Sequence, residues 1–172
     1  PPNGFDRVAF YDARLDAPTV AWIDAFAAHF AAMPTGYLAV SLLDGERDRL
    51  SALHLGLGSE RRFTTRCPDF SPGTQITVDP GTGGPQTFDL ARSYRNFVLY
   101  LARKLGPDHL ALMVEANLVA ETCPARAAGL YALYRELHDQ VRAELGPGTR
   151  LFATFSLPPL LAYDEAACYA GA

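Results

Sequence analysis

The chain has 172 residues, which is the size of one domain and is long enough to bury a substantial core. Apolar residues make up 49% of the sequence and charged residues 20%, so the composition excludes a disordered or fibrous protein. The net charge is −4 and the basic residues are mostly scattered, which argues against nucleic acid as a partner because nucleic-acid binding needs clustered Lys and Arg side chains.

The first part of the chain predicts two strands around a helix. Residues 6–12 are typical of a short buried strand, and residues 18–33 carry apolar side chains at helical spacing. Residues 37–43 form a nearly continuous apolar run, as in a strand that is covered on both faces.

The segment over 44–88 predicts a long loop, because Pro, Gly, Ser and Thr dominate it. A short helix over 46–54 and a small hairpin near 74–79 are predicted inside this loop. Loops of this length within a compact domain are usually functional or disordered.

The second half of the chain alternates helices with strands. Asp89 is a suitable N-cap for a helix over 90–105, which a Gly-Pro pair ends. A strand follows over 109–115, then a helix over 124–145 that begins with proline, and then a strand over 150–157.

This order of elements predicts an α/β fold with parallel strands and helical crossovers. An open doubly wound sheet and a (β/α)8 TIM barrel both fit the order. The chain has no G-x-G-x-x-G after a strand and no G-K-[ST], which favours the barrel. A full barrel takes about 250 residues and eight strands. Since only four strands are predicted, we expect residues 1–172 to form a single domain that is part of a barrel. The rest of the barrel would then belong to the remainder of a longer chain.

Glu115 is the first candidate for chemistry. Side chains alternate along a strand, so Met113, Glu115 and Asn117 are predicted to point into the barrel at the carboxyl end of the strand. Barrel enzymes build their active sites at that end. The alternative is a structural glutamate that is bonded to a neighbouring strand or to an arginine.

Other polar residues are predicted near the same edge. Asp12 and Ser41 lie at or near inward strand ends, and Ser156 ends the last strand. Asp44 and Arg47 follow the strand over 37–43, where either a substrate contact or an ion pair fits. We predict that Asp12, Ser41, Asp44 and Ser156 bind substrate together with Asn117.

The three cysteines fit no zinc pattern, so no metal site is predicted. A disulfide between Cys67 and Cys123 is one interpretation if the protein is exported, and three free thiols are the other. The first residues are not a signal peptide, although one could have been removed before this chain begins. No apolar run approaches about 18 residues, so no membrane span is predicted.

Several segments resemble a known clan of proteins. They are SYRNFVLYLARKLGPDHLALMVEANL, the proline-started helix after it, RLFATFSL, and YLAVSLLDGERDRL upstream. A helix with this aromatic stripe, a Gly-Pro break and a strand ending in Glu near Asn resemble the retaining glycosidases with (β/α)8 barrels. The similarity is greatest to the endo-galactanase-like and cellulase-like branches, and it covers most of residues 6–157.

The resemblance implies that this chain holds about strands two to five of the barrel and that Glu115, at the end of strand four, is the acid/base residue. The clan places an asparagine that binds the sugar 2-hydroxyl immediately before this glutamate, whereas Asn117 follows it here. The clan's nucleophile ends strand seven, so no residue of this chain corresponds to it.

From the resemblance we expect a secreted or periplasmic glycosidase without a cofactor, which cleaves an oligo- or polysaccharide by a two-carboxylate retaining mechanism. The alternative is a non-catalytic carbohydrate-binding or scaffold protein with a degenerate barrel. A further alternative is a half-barrel that dimerises through its exposed strand edges.

Overall fold

The structure, a computed structural model, describes residues 17–51, 65–78 and 86–157. The predicted strand over 6–12, with Asp12, lies outside these residues. The helices and strands, in chain order, are α1 (Ala17–Phe30), β1 (Tyr37–Ala39), β2 (Gln75–Val78), β3 (Gln86–Asp89), α2 (Leu90–Leu105), β4 (His109–Met113), α3 (Leu118–Thr122), α4 (Pro124–Leu145) and β5 (Arg150–Ala153).

A parallel sheet of three strands organises the described residues. β4 lies in the centre, with β1 on one side and β5 on the other, and Leu38, Leu110 and Leu151 are in register across it. β2 and β3 form a separate antiparallel pair. β2 lies where a small hairpin was predicted, near 74–79, but its partner strand lies beyond that region, at Gln86–Asp89. The fold is therefore mixed α/β. Barrel closure would need more strands than these three, so the (β/α)8 assignment stays a prediction.

The two long helices confirm their predictions because their sequence signals are local. In α2, Oδ1 of Asp89 accepts a 2.7 Å hydrogen bond from the backbone N–H of Arg92, which caps the first turn. Gly106 ends the helix with a left-handed φ of 60°, a conformation that glycine adopts without steric cost. Helix α4 begins at Pro124, a position at which proline is tolerated since the first N–H of a helix has no partner within it.

Helices α2 and α4 pack side by side, and α4 packs against β4 and β5. The core between these elements is mainly aliphatic. Its fully buried members include Leu110 and Leu112 of β4, Val98 of α2, and Leu130 and Leu133 of α4. Burying side chains of this size stabilises a fold by about 1.5–3 kcal/mol each.

Tyr94 of α2 connects the helix layer to the sheet. Its side chain is fully buried, and its hydroxyl oxygen lies 2.8 Å from the carbonyl oxygens of both Val40 and Leu112. Burial raises the pKa of Tyr94, so the hydroxyl keeps its proton and donates it to these two acceptors. Because Val40 follows β1 and Leu112 belongs to β4, one side chain holds two neighbouring strands.

The three parallel strands are shorter than their apolar sequences predict. They end at Ala39, Met113 and Ala153, whereas the predicted ends were residues 43, 115 and 157. After β1, Oγ of Ser41 accepts a hydrogen bond from the N–H of Leu43 and donates one to the carbonyl of Leu43, which bends the chain. In the apolar run over 37–43, Val40, Leu42 and Leu43 are buried, whereas Tyr37 and Ala39 of β1 are exposed. The run therefore marks neither the length of the strand nor a strand that is covered on both faces.

The short helix predicted over 46–54 is wrong within its described part. The chain turns there, and an isolated antiparallel bridge joins Leu43 to Leu50. Oδ1 of Asp44 accepts a 3.4 Å hydrogen bond from the backbone N–H of Arg49, which favours the turn. Short polar side chains compete in this way with the hydrogen bonds of a helix.

We predict that Tyr94→Phe lowers the free energy of unfolding by about 1–3 kcal/mol, because it leaves two buried carbonyl groups without their donor. Chemical denaturation measures this change. The control is Tyr131→Phe, since Tyr131 is 38% exposed and its change should stay within about 0.5 kcal/mol. Equal stability of the two variants would contradict the bridging role of Tyr94.

Candidate functional site

The carboxyl ends of β1, β4 and β5 lie at one edge of the sheet, because the three strands are parallel. The segments that follow them meet there through side chains. Arg47, after β1, contacts Glu115, after β4, and the backbone N–H of Glu115 donates a 2.9 Å hydrogen bond to Oγ1 of Thr154, after β5. We call Arg47, Glu115 and Thr154 the Glu115 site.

Glu115 lies in a left-handed turn rather than in a strand. β4 ends at Met113, and Glu115 has a φ of 51°. The pairing of β4 with β5 also changes register between Ala111 and Met113, so Leu112 is an extra residue. Strand alternation therefore does not determine the direction of the Glu115 side chain, and the prediction that was based on alternation is corrected in this respect. Its position at the carboxyl end of β4 agrees with that reasoning.

Arg47 holds the Glu115 carboxylate. Nη2 of Arg47 lies 2.6 Å from Oε2 of Glu115, and Nη1 donates to the backbone carbonyl of Asp44. The Arg47 side chain is 11% exposed and that of Glu115 is 38% exposed, so the pair joins a mostly buried cation to a carboxylate that reaches solvent. The described residues donate no hydrogen bond to Oε1 of Glu115.

The pairing of Glu115 with an arginine is the alternative that the sequence left open, but its partner could not be predicted. Arg47 is 68 positions away from Glu115 in the chain. Sequence spacing suggested an ion pair with Asp44 instead, whereas Arg47 contacts only the backbone carbonyl of Asp44. Thr154 likewise has no local signal, since its contact with the Glu115 N–H depends on the register of β4 and β5.

Asn117 and Ser156, both predicted to bind substrate, are brought together by the fold. Nδ2 of Asn117 donates a 3.0 Å hydrogen bond to the carbonyl of Ser156, and Oδ1 accepts a 2.8 Å bond from the N–H of Ser156. Asn117 is buried and is the N-cap residue of helix α3. Its amide thus joins the turns after β4 and β5, while a role for either residue in sugar binding stays a prediction.

Ser41 and Asp44, the other described candidates, lie in the turn after β1. The Ser41 hydroxyl exchanges hydrogen bonds with the backbone of Leu43, and Asp44 accepts one from the backbone of Arg49. Both side chains therefore shape the turn that carries Arg47. Substrate contacts by Ser41 and Asp44 stay predictions.

A second set of contacts surrounds Asp48, which is buried next to Arg47. Oδ2 of Asp48 accepts a 2.6 Å hydrogen bond from Nε of Arg66, and its backbone carbonyl accepts one of 2.6 Å from the N–H of Cys67. The Sγ atoms of Cys67 and Cys123 are 2.08 Å apart, the distance of a disulfide bond. The structure thus agrees with the paired interpretation of these two cysteines.

Unusual backbone conformations are concentrated here. Among the described residues, the non-glycine residues with positive φ are Arg47 (58°), Cys67 (46°) and Glu115 (51°). Each costs about 1–2 kcal/mol because its Cβ crowds the backbone. Strain of this kind clusters at functional sites, where the surrounding structure imposes it. The Glu115 site is therefore a stronger candidate than its polar composition alone would make it.

A surface cavity of about 350 Å³ lies elsewhere, along α2, and is lined by Asn96, Leu99, Tyr100, Arg103 and Lys104. Its two cations are already paired, Arg103 with Glu144 at 2.7 Å and Lys104 with Asp24 at 2.5 Å. The cavity includes no residue of the Glu115 site.

Comparisons with family models, with curated proteins and with solved structures found no match. Within residues 17–51, 65–78 and 86–157, no three His, Cys, Asp or Glu side chains are grouped so as to hold a metal ion. In the same part of the chain, no helix combines the length and the apolar character that a membrane crossing needs. The function is therefore argued from the geometry of the site.

We predict that reducing the Cys67–Cys123 disulfide lowers the free energy of unfolding by about 4 kcal/mol. The two cysteines are 56 positions apart, and the loop-closure entropy for that length gives this magnitude. Guanidinium denaturation with and without a dithiol reductant measures the effect. The Cys67→Ser/Cys123→Ser variant is the control, since the reductant should not change its midpoint. A wild-type midpoint that is equal in both conditions would contradict the bond.

We predict that Glu115→Gly is more stable than Glu115→Ala by about 1 kcal/mol, because both lack the carboxylate and only alanine is strained at positive φ. The matched pair is Glu136→Gly and Glu136→Ala in helix α4, where alanine should be the more stable by about 1 kcal/mol. Thermal unfolding of the four variants provides the comparison. The same order of stability at both positions would exclude a left-handed Glu115.

Proposed function

We propose that this protein is a glycoside hydrolase-like protein that cleaves a glycosidic bond in an oligo- or polysaccharide, with Glu115 as its acid/base residue. The observation that supports the proposal most is a partly exposed carboxylate, in a strained left-handed turn, at the carboxyl end of the central strand of a parallel sheet. Parallel α/β folds bind their ligands at this edge.

In the proposed reaction, Glu115 donates a proton to the leaving oxygen while the glycosidic C–O bond breaks. A second carboxylate, which we do not assign to any residue of this chain, forms the glycosyl–enzyme intermediate. In the second step the Glu115 carboxylate takes a proton from the water that releases the sugar. Arg47 fixes Oε2, so that Oε1 is the oxygen that faces the substrate.

The Cys67–Cys123 disulfide supports a secreted or periplasmic location, since disulfides persist in oxidising compartments. Polysaccharides are met outside the cytoplasm, so such a location is consistent with the proposed substrate class. The location is part of the proposal.

A non-catalytic carbohydrate-binding protein is the second candidate, and the Arg47–Glu115 ion pair favours it. A general acid must carry a proton, whereas an oxygen that accepts a 2.6 Å hydrogen bond from a guanidinium is arranged as an acceptor. The amide of Asn117, which a sugar hydroxyl would otherwise contact, is bonded to the backbone of Ser156. Both features suit a rigid binding surface.

We predict that Glu115→Gln lowers turnover of galactan and cellulose by about 10²–10⁴-fold in the natural full-length protein, because general acid catalysis contributes that much. For dinitrophenyl glycosides, Glu115→Gln should slow formation of the glycosyl–enzyme intermediate much less, since dinitrophenolate leaves without being protonated. The control is Glu121→Gln on the neighbouring helix α3, where the side chain is exposed. Release of reducing sugar and of dinitrophenolate measures both rates.

Equal turnover by wild type and Glu115→Gln would exclude Glu115 as the acid/base residue. A wild-type protein that binds galacto- or cello-oligosaccharides in calorimetry without cleaving them supports the non-catalytic candidate, provided that Glu115→Gln weakens binding. Absence of both binding and turnover on the glycan panel would contradict both candidates.

A further inference from the structure

Three segments that are distant in sequence form a closed ring beside Arg47. The first link joins Asp48 to the segment of Arg66 and Cys67. The Cys67 N–H donates to the Asp48 carbonyl at 2.6 Å, and Nε of Arg66 donates to Oδ2 of Asp48 at 2.6 Å. The Arg66 side chain is 69% exposed, so its bond to Asp48 contributes little. Since Asp48 follows Arg47 directly, the backbone bond from Cys67 is the contact that holds this side of Arg47.

The second link runs from Arg47 to the end of helix α3. Oγ1 of Thr122 lies 3.1 Å from the carbonyl oxygen of Arg47 and 3.1 Å from that of Leu118, so its single proton is shared between them. Thr122 precedes Cys123, whose disulfide to Cys67 closes the ring with a covalent bond. We call these three segments, Arg47–Asp48, Arg66–Cys67 and Thr122–Cys123, the Arg47 ring.

Arg47 does not adopt its conformation by its own preference. Its φ of 58° is unfavourable for an arginine, and its buried Nε has no hydrogen-bond partner among the residues that the structure describes. Its pairing with Glu115 alone offsets little of this cost, because the carboxylate is 38% exposed and water competes for it. The backbone N–H and Nη1 of Arg47 also donate to the carbonyl of Asp44, but those bonds lie within the same turn. The Arg47 ring supplies the contacts that hold Arg47 from outside that turn.

We propose that the Cys67–Cys123 disulfide and Thr122 are positioning residues, which hold Arg47 so that its guanidinium fixes the Glu115 carboxylate. An effect of this positioning on catalysis rests on the proposed function, whereas the positioning of Glu115 by Arg47 does not. Opening the ring requires a dithiol reductant: two electrons and two protons pass to the sulfur–sulfur bond, giving two thiols, and the reductant becomes a disulfide. Arg47 then leaves its left-handed turn, and Glu115 becomes free to move.

The alternative is that the disulfide only stabilises the segment around Cys67 and has no influence on Glu115. The two roles differ in their effect on the reactivity of the Glu115 carboxylate. A guanidinium at 2.6 Å shields Oε2 from reagents in solution, so release of Arg47 exposes the carboxylate even where the rest of the fold is intact.

The experiment labels carboxylates of the full natural chain with a water-soluble carbodiimide and glycine ethyl ester, and mass spectrometry follows the rate at Glu115. Reduction by dithiothreitol should raise that rate by about 2–10-fold, the equivalent of one net hydrogen bond. Thr122→Val should raise it by about 2-fold, the lower end of this range, because the exposed hydroxyl shares its proton between two carbonyls. Thr122→Ser keeps the hydroxyl and should label like wild type. Thr122→Val keeps the disulfide, so it tests the ring even if the reduced protein unfolds.

Two controls make the result specific to Arg47. Arg47→Met should label rapidly at Glu115 and gain nothing further from reduction or from Thr122→Val. Glu136, in the middle of helix α4, should label at the same rate in all folded samples. An unchanged Glu115 rate in both reduced wild type and Thr122→Val would overturn the proposal, as would a rise of equal size in the Arg47→Met background.

The outcomes for positioning and for catalysis are separable. If labelling responds as expected but glycoside turnover does not depend on Glu115, then the positioning role stands and the proposed function is wrong. If turnover depends on Glu115 but neither reduction nor Thr122→Val changes its labelling, then the proposed function stands and the positioning role is wrong.

Discussion

The parallel pairing of β4 with β1 and β5 is the constraint on which the candidate site depends. Parallel strands cannot be joined by short turns, so helices α2 and α4 must return the chain across the sheet before each new strand starts. The carboxyl ends of all three strands consequently lie at one edge. Tyr94 of α2 stabilises this arrangement, since its buried hydroxyl lies 2.8 Å from the carbonyl oxygens of Val40, which follows β1, and of Leu112 in β4.

The edge of the sheet combines rigidity with local strain. Oγ1 of Thr154 accepts a hydrogen bond from the backbone N–H of Glu115, and the side-chain amide of Asn117 both donates to and accepts from the backbone of Ser156. These bonds join the turn after β4 to the turn after β5. Arg47 and Glu115 nevertheless have unfavourable positive φ angles. A rigid frame that imposes strain on one ion pair is expected where the position of a carboxylate matters for function.

The sequence predicted the helices better than the site, for a physical reason. Asp89 and Pro124 act on the first turn of their own helix, so the bounds of α2 and α4 follow from local chemistry. The strand that was predicted to reach Glu115 ends at Met113, and the left-handed φ of 51° at Glu115 is incompatible with the extended backbone of a strand. The contact between Arg47 and Glu115 spans 68 positions and depends on tertiary structure, so the pattern indicated the carboxylate but not its partner.

We propose that the Glu115 site binds a carbohydrate, and hydrogen-exchange mass spectrometry can detect such binding. Galacto- and cello-oligosaccharides are added to the full natural chain, and the exchange of each peptide is compared with that of the free protein. If the oligosaccharide binds at the Glu115 site, exchange should become slower over residues 40–51 and 113–118, on either side of the ion pair. Protection confined to the α2 cavity around residues 96–104, or no change with any of these oligosaccharides, would contradict the proposal.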